Sequence, residues 1–179
     1  DKITGVLPLK GEALGIFTEN TIQALYGDST ASLAQKVISP NSGAIAYTVC
    51  DMGVPVFTDF RGIGTVDAVQ EYGDFQRGRW SYSIQNYITP IIQNESQFLG
   101  DPAKVICAYP VRNKNQYRLC FSDASVITMT LVGPGLEQQF TTQSIFTRTQ
   151  EGEKILMPLL ALEHGVSSAG RDVIFCSLN

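Results

Sequence analysis

The chain has 179 residues, of which 44% are hydrophobic and 17% charged, so it can bury a core and is not expected to be disordered. Thirteen basic and 17 acidic residues give a net charge of −4, which argues against a general nucleic-acid-binding domain and a polybasic membrane-surface protein. No apolar run approaches the roughly 18 residues of a membrane-spanning helix.

Short runs rich in Val, Ile, Thr and aromatic residues dominate the chain and predict β-strands, because Gly, Pro, Asn or Asp bounds most of them. In chain order, these runs are residues 13–17, 22–26, 44–50, 54–58, 63–69, 104–109, 116–121, 126–132, 140–147, 155–162 and 172–176. Most have the five or six residues that are common for strands in globular proteins. The sequence therefore predicts an all-β fold.

One segment, residues 80–93, follows the period of a helix. Its apolar residues recur on one helical face, at Trp80, Ile84, Tyr87, Ile88 and Ile91. Pro90 is expected to end or kink this helix, because proline lacks an N–H and clashes with the preceding turn. We therefore expect one inserted helix, near residues 81–93.

A phenylalanine followed by a short polar turn recurs at Phe17, Phe57, Phe121 and Phe175. Each copy predicts a strand, a polar turn and a second strand. An acidic or hydroxyl side chain in the turn can accept hydrogen bonds from the turn N–H groups. The copies lie 40, 64 and 54 residues apart, and β-propeller blades repeat at about 40–50 residues as four-stranded meanders. The repeat predicts blades of a β-propeller, built as antiparallel meanders, over a single segment 1–179.

The cysteines Cys50, Cys107, Cys120 and Cys176 lack the close CxxC spacing of a zinc site. Each lies in an apolar run, so buried, reduced thiols are expected. The runs 104–111 and 116–121 should pair as a hairpin across the turn 113–114, which places Cys107 opposite Cys120 as two adjacent free thiols. In this register one face is apolar and carries Ile106, Ala108, Pro110, Tyr117, Leu119 and Phe121.

The chain offers few groups for catalysis. Its one histidine, His164, is expected in a turn after a strand, and no nucleophile motif lies beside it. Asp67, Glu71 and Asp74 are close in sequence but do not match the ligand spacing of a calcium loop, which favours a solvated connector. We therefore predict no enzyme activity, no catalytic residue, no metal site and no cofactor.

Two small basic clusters have aromatic neighbours. Arg77 and Arg79 precede the predicted helix, and Arg112, Lys114 and Arg118 lie at the predicted hairpin tip. Arginine–phosphate contacts and base stacking could bring either cluster to nucleic acid, and arginine is also favoured at protein interfaces. These five residues are the candidate contacts to DNA or to a neighbouring subunit.

The order of five segments along the chain is distinctive. They read VISPNSGAIAYTV, GVPVF, DFRGI, YGDF and KNQYRLCFSD, at residues 37–49, 53–57, 59–63, 72–75 and 114–123. This succession resembles the β-propeller region of tail nozzle (tail tubular) proteins of short-tailed bacteriophages, over about residues 3–132. One departure is Asp123-Ala124-Ser125, where we would expect a glycine in the turn.

The resemblance implies a structural component of the tail nozzle, part of the ring and channel through which DNA leaves the virion. The implied partners are other copies in a six-fold ring, the tail adaptor and other tail proteins, and genomic DNA passing without sequence specificity. The implied location is the virion tail, assembled in the host cytoplasm, with no membrane partner and no active-site residue. Members of that family are much longer, so the chain is expected to be an excerpt of a longer nozzle protein.

Two alternative functions remain open at this stage. A carbohydrate-binding or carbohydrate-cleaving propeller-type tail protein would need clustered exposed aromatic residues and paired carboxylates. Trp80, the single tryptophan, fits the buried face of the predicted helix instead. A general propeller protein-interaction module would carry W-D or kelch-like signatures, which the sequence lacks.

Overall fold

The computed structural model describes residues 1–68, 79–93, 97–98, 101–102, 104–157, 159–166, 168 and 172–178, with backbone alone at 97–98, 101–102, 159–166 and 172–178. Antiparallel sheets and one short α-helix make up most of these residues, so the prediction of a mostly β fold with one helix is confirmed. The chain divides into two compact units, Asp1–Thr89 and Pro90–Asn179.

The first unit begins with a four-stranded antiparallel meander, here called the first meander. Its strands are β1 (Ile3–Leu9), β2 (Ala13–Thr18), β3 (Ile22–Tyr26) and β4 (Ala34–Ser39), in that spatial order. The sequence did not predict β1 and β4. Gly5 and Pro8 interrupt the strand pattern of β1, and β4 is largely exposed. Both are edge strands, where proline and polar residues are tolerated because one side of the ladder is unpaired.

A three-stranded antiparallel sheet follows in the same unit. Its strands are β5 (Cys50–Asp51), β6 (Pro55–Asp59) and β7 (Gly62–Thr65). The predicted strand at 63–69 therefore ends early, because residues 66–68 are helical and Val69 lies outside the described residues. The core between this sheet and the first meander contains Phe17 and Phe57, whose ring centroids lie 5.6 Å apart.

The predicted strand at 44–50 is wrong except at Cys50. Residues 40–49 instead form a connection, here called the crossing segment, from β4 to β5. Its apolar residues suggested a strand, but its N–H groups bond to two different turns and not to one neighbouring strand. Tyr47 also has a positive φ of 62°, which a strand does not accommodate.

The predicted helix is present, as a 3₁₀ helix at Trp80–Ile84 followed by α1 (Gln85–Ile92). Pro90 lies inside α1, which ends two residues later. The buried face differs from the prediction, because Ser81 and Ile88 are fully buried whereas Tyr87 is half exposed. The 3₁₀ start has about three residues per turn, so it shifts the buried face relative to a continuous α-helix.

The second unit contains another four-stranded antiparallel meander, here called the second meander. Its strands follow a short pair, β8 (Gln97–Phe98) and β9 (Asp101–Pro102), and are β10 (Val105–Val111), β11 (Gln116–Phe121), β12 (Ser125–Val132) and β13 (Glu137–Ser144). Two hairpins complete the unit: β14 (Phe146–Arg148) with β15 (Lys154–Leu156), and β16 (Leu159–Val166) with β17 (Asp172–Leu178).

The predicted register of the β10–β11 hairpin is confirmed over five pairs, from Cys107 opposite Cys120 to Val111 opposite Gln116. Two details differ. The tip is a 3₁₀ turn, Arg112–Lys114, and the left-handed residue is Asn115, with φ 50°, not a residue of a two-residue turn. A bulge at Ile106 pairs Phe121 with Val105. The two cysteines are buried free thiols, as predicted.

Among the described residues, no helix has the length and apolar character needed to cross a membrane.

Candidate functional site

Three of the four phenylalanine motifs form hairpins of the kind that the repeat predicted. Phe17, Phe57 and Phe121 are fully buried, and each lies in a strand that leads into a tight turn and an antiparallel partner. Phe175 lies in β17, where the structure describes the backbone. The repeated residue is therefore a core residue that anchors a hairpin.

Side chains close these turns, as the sequence predicted. Thr18 Oγ1 accepts a hydrogen bond from the Thr21 N–H at 2.9 Å. Asp59 Oδ1 accepts from the N–H groups of Arg61 at 2.7 Å and Gly62 at 3.2 Å. Asp123 Oδ1 accepts from the Ser125 N–H at 2.9 Å. In each turn, a side-chain oxygen thus accepts a hydrogen bond from a backbone N–H group that would otherwise need another partner.

After its fourth strand, each meander returns to its own central turn. Ala44 N–H, which follows β4, donates to Thr18 O at 2.8 Å. Ile145 N–H, which follows β13, donates to Ala124 O at 2.8 Å. The two meanders therefore share their strand order, their buried phenylalanine and the path of the chain that leaves them.

An ion pair fastens the crossing segment in the first unit. Arg61 Nε and Nη2 donate to Asp59 Oδ2 at 2.8 and 2.6 Å, and Nη2 also donates to Asn41 O at 2.8 Å and Ser42 Oγ at 2.9 Å. Burial raises the pKa of the Asp59 carboxyl, although the hydrogen bonds and charge of Arg61 oppose that shift. The sequence analysis does not single out Arg61. Its position two residues after Asp59, in a predicted turn, is the feature that could have identified it.

A groove of about 320 Å³ lies where the crossing segment passes between two of these turns. It is lined by Thr4, Glu19, Asn20, Phe60 and residues 44–46 of the crossing segment. Residues 44 and 45 are held on both sides. Ala44 N–H donates to Thr18 O, at the turn after Phe17, and Ile45 N–H donates to Thr58 O, at the turn after Phe57, each at 2.8 Å. The sequence did not predict this groove, since its residues come from four separate stretches.

The polar side chains of the groove differ in their hydrogen bonding. Asn20 Nδ2 donates to Asp1 Oδ1 at 3.1 Å. Thr4 Oγ1 is buried and has no hydrogen-bond partner among the described residues. Glu19 is exposed, and Phe60 keeps 44% of its surface accessible. The Glu19 carboxylate is the accessible charged group of the groove, because the Arg61 guanidinium already lies 5.6 Å from the centre of the Phe60 ring and Thr4 Oγ1 is buried.

The five candidate basic residues have different surroundings. Arg112 and Lys114 are exposed at the tip of the β10–β11 hairpin, whereas Arg77 lies outside the described residues. Arg79 is only 9% exposed and pairs by a β-bridge with Gly64, and its role as a contact stays a prediction.

Arg118 lies within the sheet and is partly buried. Its Nη2 and Nε donate to Gln116 Oε1 at 2.8 and 3.2 Å, and its guanidinium lies 6.0 Å from the centre of the Tyr109 ring. The exposed basic surface of this hairpin is therefore its tip, not the whole predicted cluster.

Of the other residues considered for chemistry, His164 and Asp67 lie within the described part of the chain. His164 lies within strand β16 opposite Ile174, not in the predicted turn. Asp67 pairs with Lys10 at 3.0 Å, while Glu71 and Asp74 lie outside the described residues. Over the described part of the chain, no group of three or more His, Cys, Asp or Glu could hold a metal ion.

The Cys120 thiol of the second meander, which neighbours Cys107, is held in its protonated form. The hydrogen bond with Cys107, followed by burial, raises the pKa of Cys120 far above its ordinary value, and Arg118 opposes this only in part. Burial likewise raises the pKa of Tyr109 beside them. Because the thiolate is the reactive form of cysteine, the Cys120 thiol is suited to packing and not to nucleophilic chemistry.

Comparison with protein families, with curated proteins and with solved structures found no match. The similarity to tail nozzle proteins thus depends on the five sequence segments alone.

Proposed function

We propose that this chain is a structural component of the tail nozzle of a short-tailed bacteriophage. The observation that carries the proposal is the likeness of the two meanders. Each has four sequential antiparallel strands, a buried phenylalanine before a side-chain-closed turn, and an exit path that bonds back to that turn. Four-stranded meanders of this kind are the repeating blades of β-propellers, the fold that the resemblance implies.

Three of the five segments that carry the resemblance include turns or connections of the described sheets. Residues 37–49 cover the end of β4 and the crossing segment, and residues 59–63 contain the Asp59–Arg61 turn. Residues 114–123 cover β11 and the start of the turn after Phe121. Many of the residues that carry the resemblance therefore lie in turns and connections between strands. This placement suits a structural role.

In the proposed nozzle, the sheets would form part of the wall of a six-fold ring around the exit channel. DNA must slide through such a channel without binding tightly. A net charge of −4 suits that task, because it supplies no excess of cations to hold phosphates. The tail adaptor, other tail proteins and further copies of the subunit would be the lasting partners.

Immunogold labelling of intact virions tests this proposal. Antibodies raised against the purified chain are applied to virions of the phage whose genome encodes it, and bound gold is located by negative-stain electron microscopy. We expect gold at the distal end of the tail, and antibodies first absorbed with the purified chain serve as the control. Virions that lack the protein, or labelling confined to the capsid, would contradict the proposal.

A further inference from the structure

We draw no further inference here: the strongest candidate, the apolar outer face of the first meander, where Val6, Leu14 and Val37 are exposed, carries none because nothing in the structure shows what covers it.

Discussion

Ala124 adopts a backbone conformation that normally favours glycine. Its φ is 68°, and its side chain is fully buried in the turn that follows Phe121. The sequence analysis expected a glycine in this turn, and the positive φ supplies the physical reason. For an L-residue the left-handed region costs about 1–2 kcal/mol, because Cβ approaches the following carbonyl oxygen.

Ala124→Gly should therefore be nearly neutral for stability. Losing a buried methyl costs about 0.8 kcal/mol, and relief of the left-handed backbone returns about as much or more. Ala24→Gly is the matched control, because Ala24 is equally buried but lies in strand β3. There the same change should cost about 1.3–1.8 kcal/mol, since glycine adds a backbone entropy cost to the lost methyl. Urea unfolding measures both, and equal losses at the two sites would contradict the argument.

Asp59 should make the chain less stable as the pH rises. Burial raises the pKa of its folded form above the ordinary value of 3.8, so the folded state binds more protons than the unfolded state between the two pKa values. Its contribution is present below pH 3.8 and is lost as the pH rises through the raised pKa. In Asp59→Asn this dependence disappears, while the oxygen that accepts from the turn N–H groups remains.

Urea unfolding of both proteins from pH 3 to pH 8 measures this difference. We expect the free energy of unfolding of the parent chain, relative to Asp59→Asn, to fall with rising pH. If the difference rises instead, the ion pair with Arg61 outweighs the cost of burial.

At the scale of elements, Gly43 decides whether the crossing segment can lie against the first turn. A Cβ built at this position would overlap the backbone of Glu19 and Asn20, which cannot rotate away as a side chain could. Gly43→Ala should therefore cost about 1–3 kcal/mol, the usual range for overpacking. Gly135→Ala is the control and should change stability by less than about 0.5 kcal/mol, because nothing lies within 4 Å of its Cβ position.

Thermal unfolding followed by circular dichroism compares these two glycine variants. A stability for Gly43→Ala equal to that of Gly135→Ala would show that the segment can move away from the turn.

Local patterns predicted those elements whose stabilising contacts are near in sequence. The β10–β11 register followed from a symmetric hairpin, and the helix followed from its spacing. The crossing segment was predicted as a strand from its apolar residues, but only Ala44 and Val49 pack in the core, and the N–H groups of residues 44 and 45 bond to turns distant in the chain. The groove could not be predicted, since it exists only after Thr4, Glu19 and Phe60 are brought together by two sheets.

At the scale of the whole molecule, corresponding faces of the two meanders differ in exposure. In the first meander, cross-strand pairing places Val6, Ile16 and Val37 on one face, which continues through Leu14 and Leu25. Val6 is 52% exposed, whereas Cys107, at the corresponding place in the second meander, is 6% exposed. The outer face of the first meander thus exposes apolar side chains around the polar residues Gln23 and Gln35, and such apolar surface can pack on another sheet.

This face should govern how the isolated chain behaves in solution. Because an accessible apolar sheet face and an edge strand associate without fixed geometry, we expect sedimentation velocity to show monomer with irregular aggregate. Val6→Lys combined with Val37→Lys should reduce the aggregate while changing stability by less than about 1 kcal/mol in all, since both positions are exposed. Cys107→Lys is the matched control and should unfold the chain, because it buries an unpaired charge. A closed hexamer of the parent chain, or aggregation unaffected by the two lysines, would show that other surfaces direct its assembly.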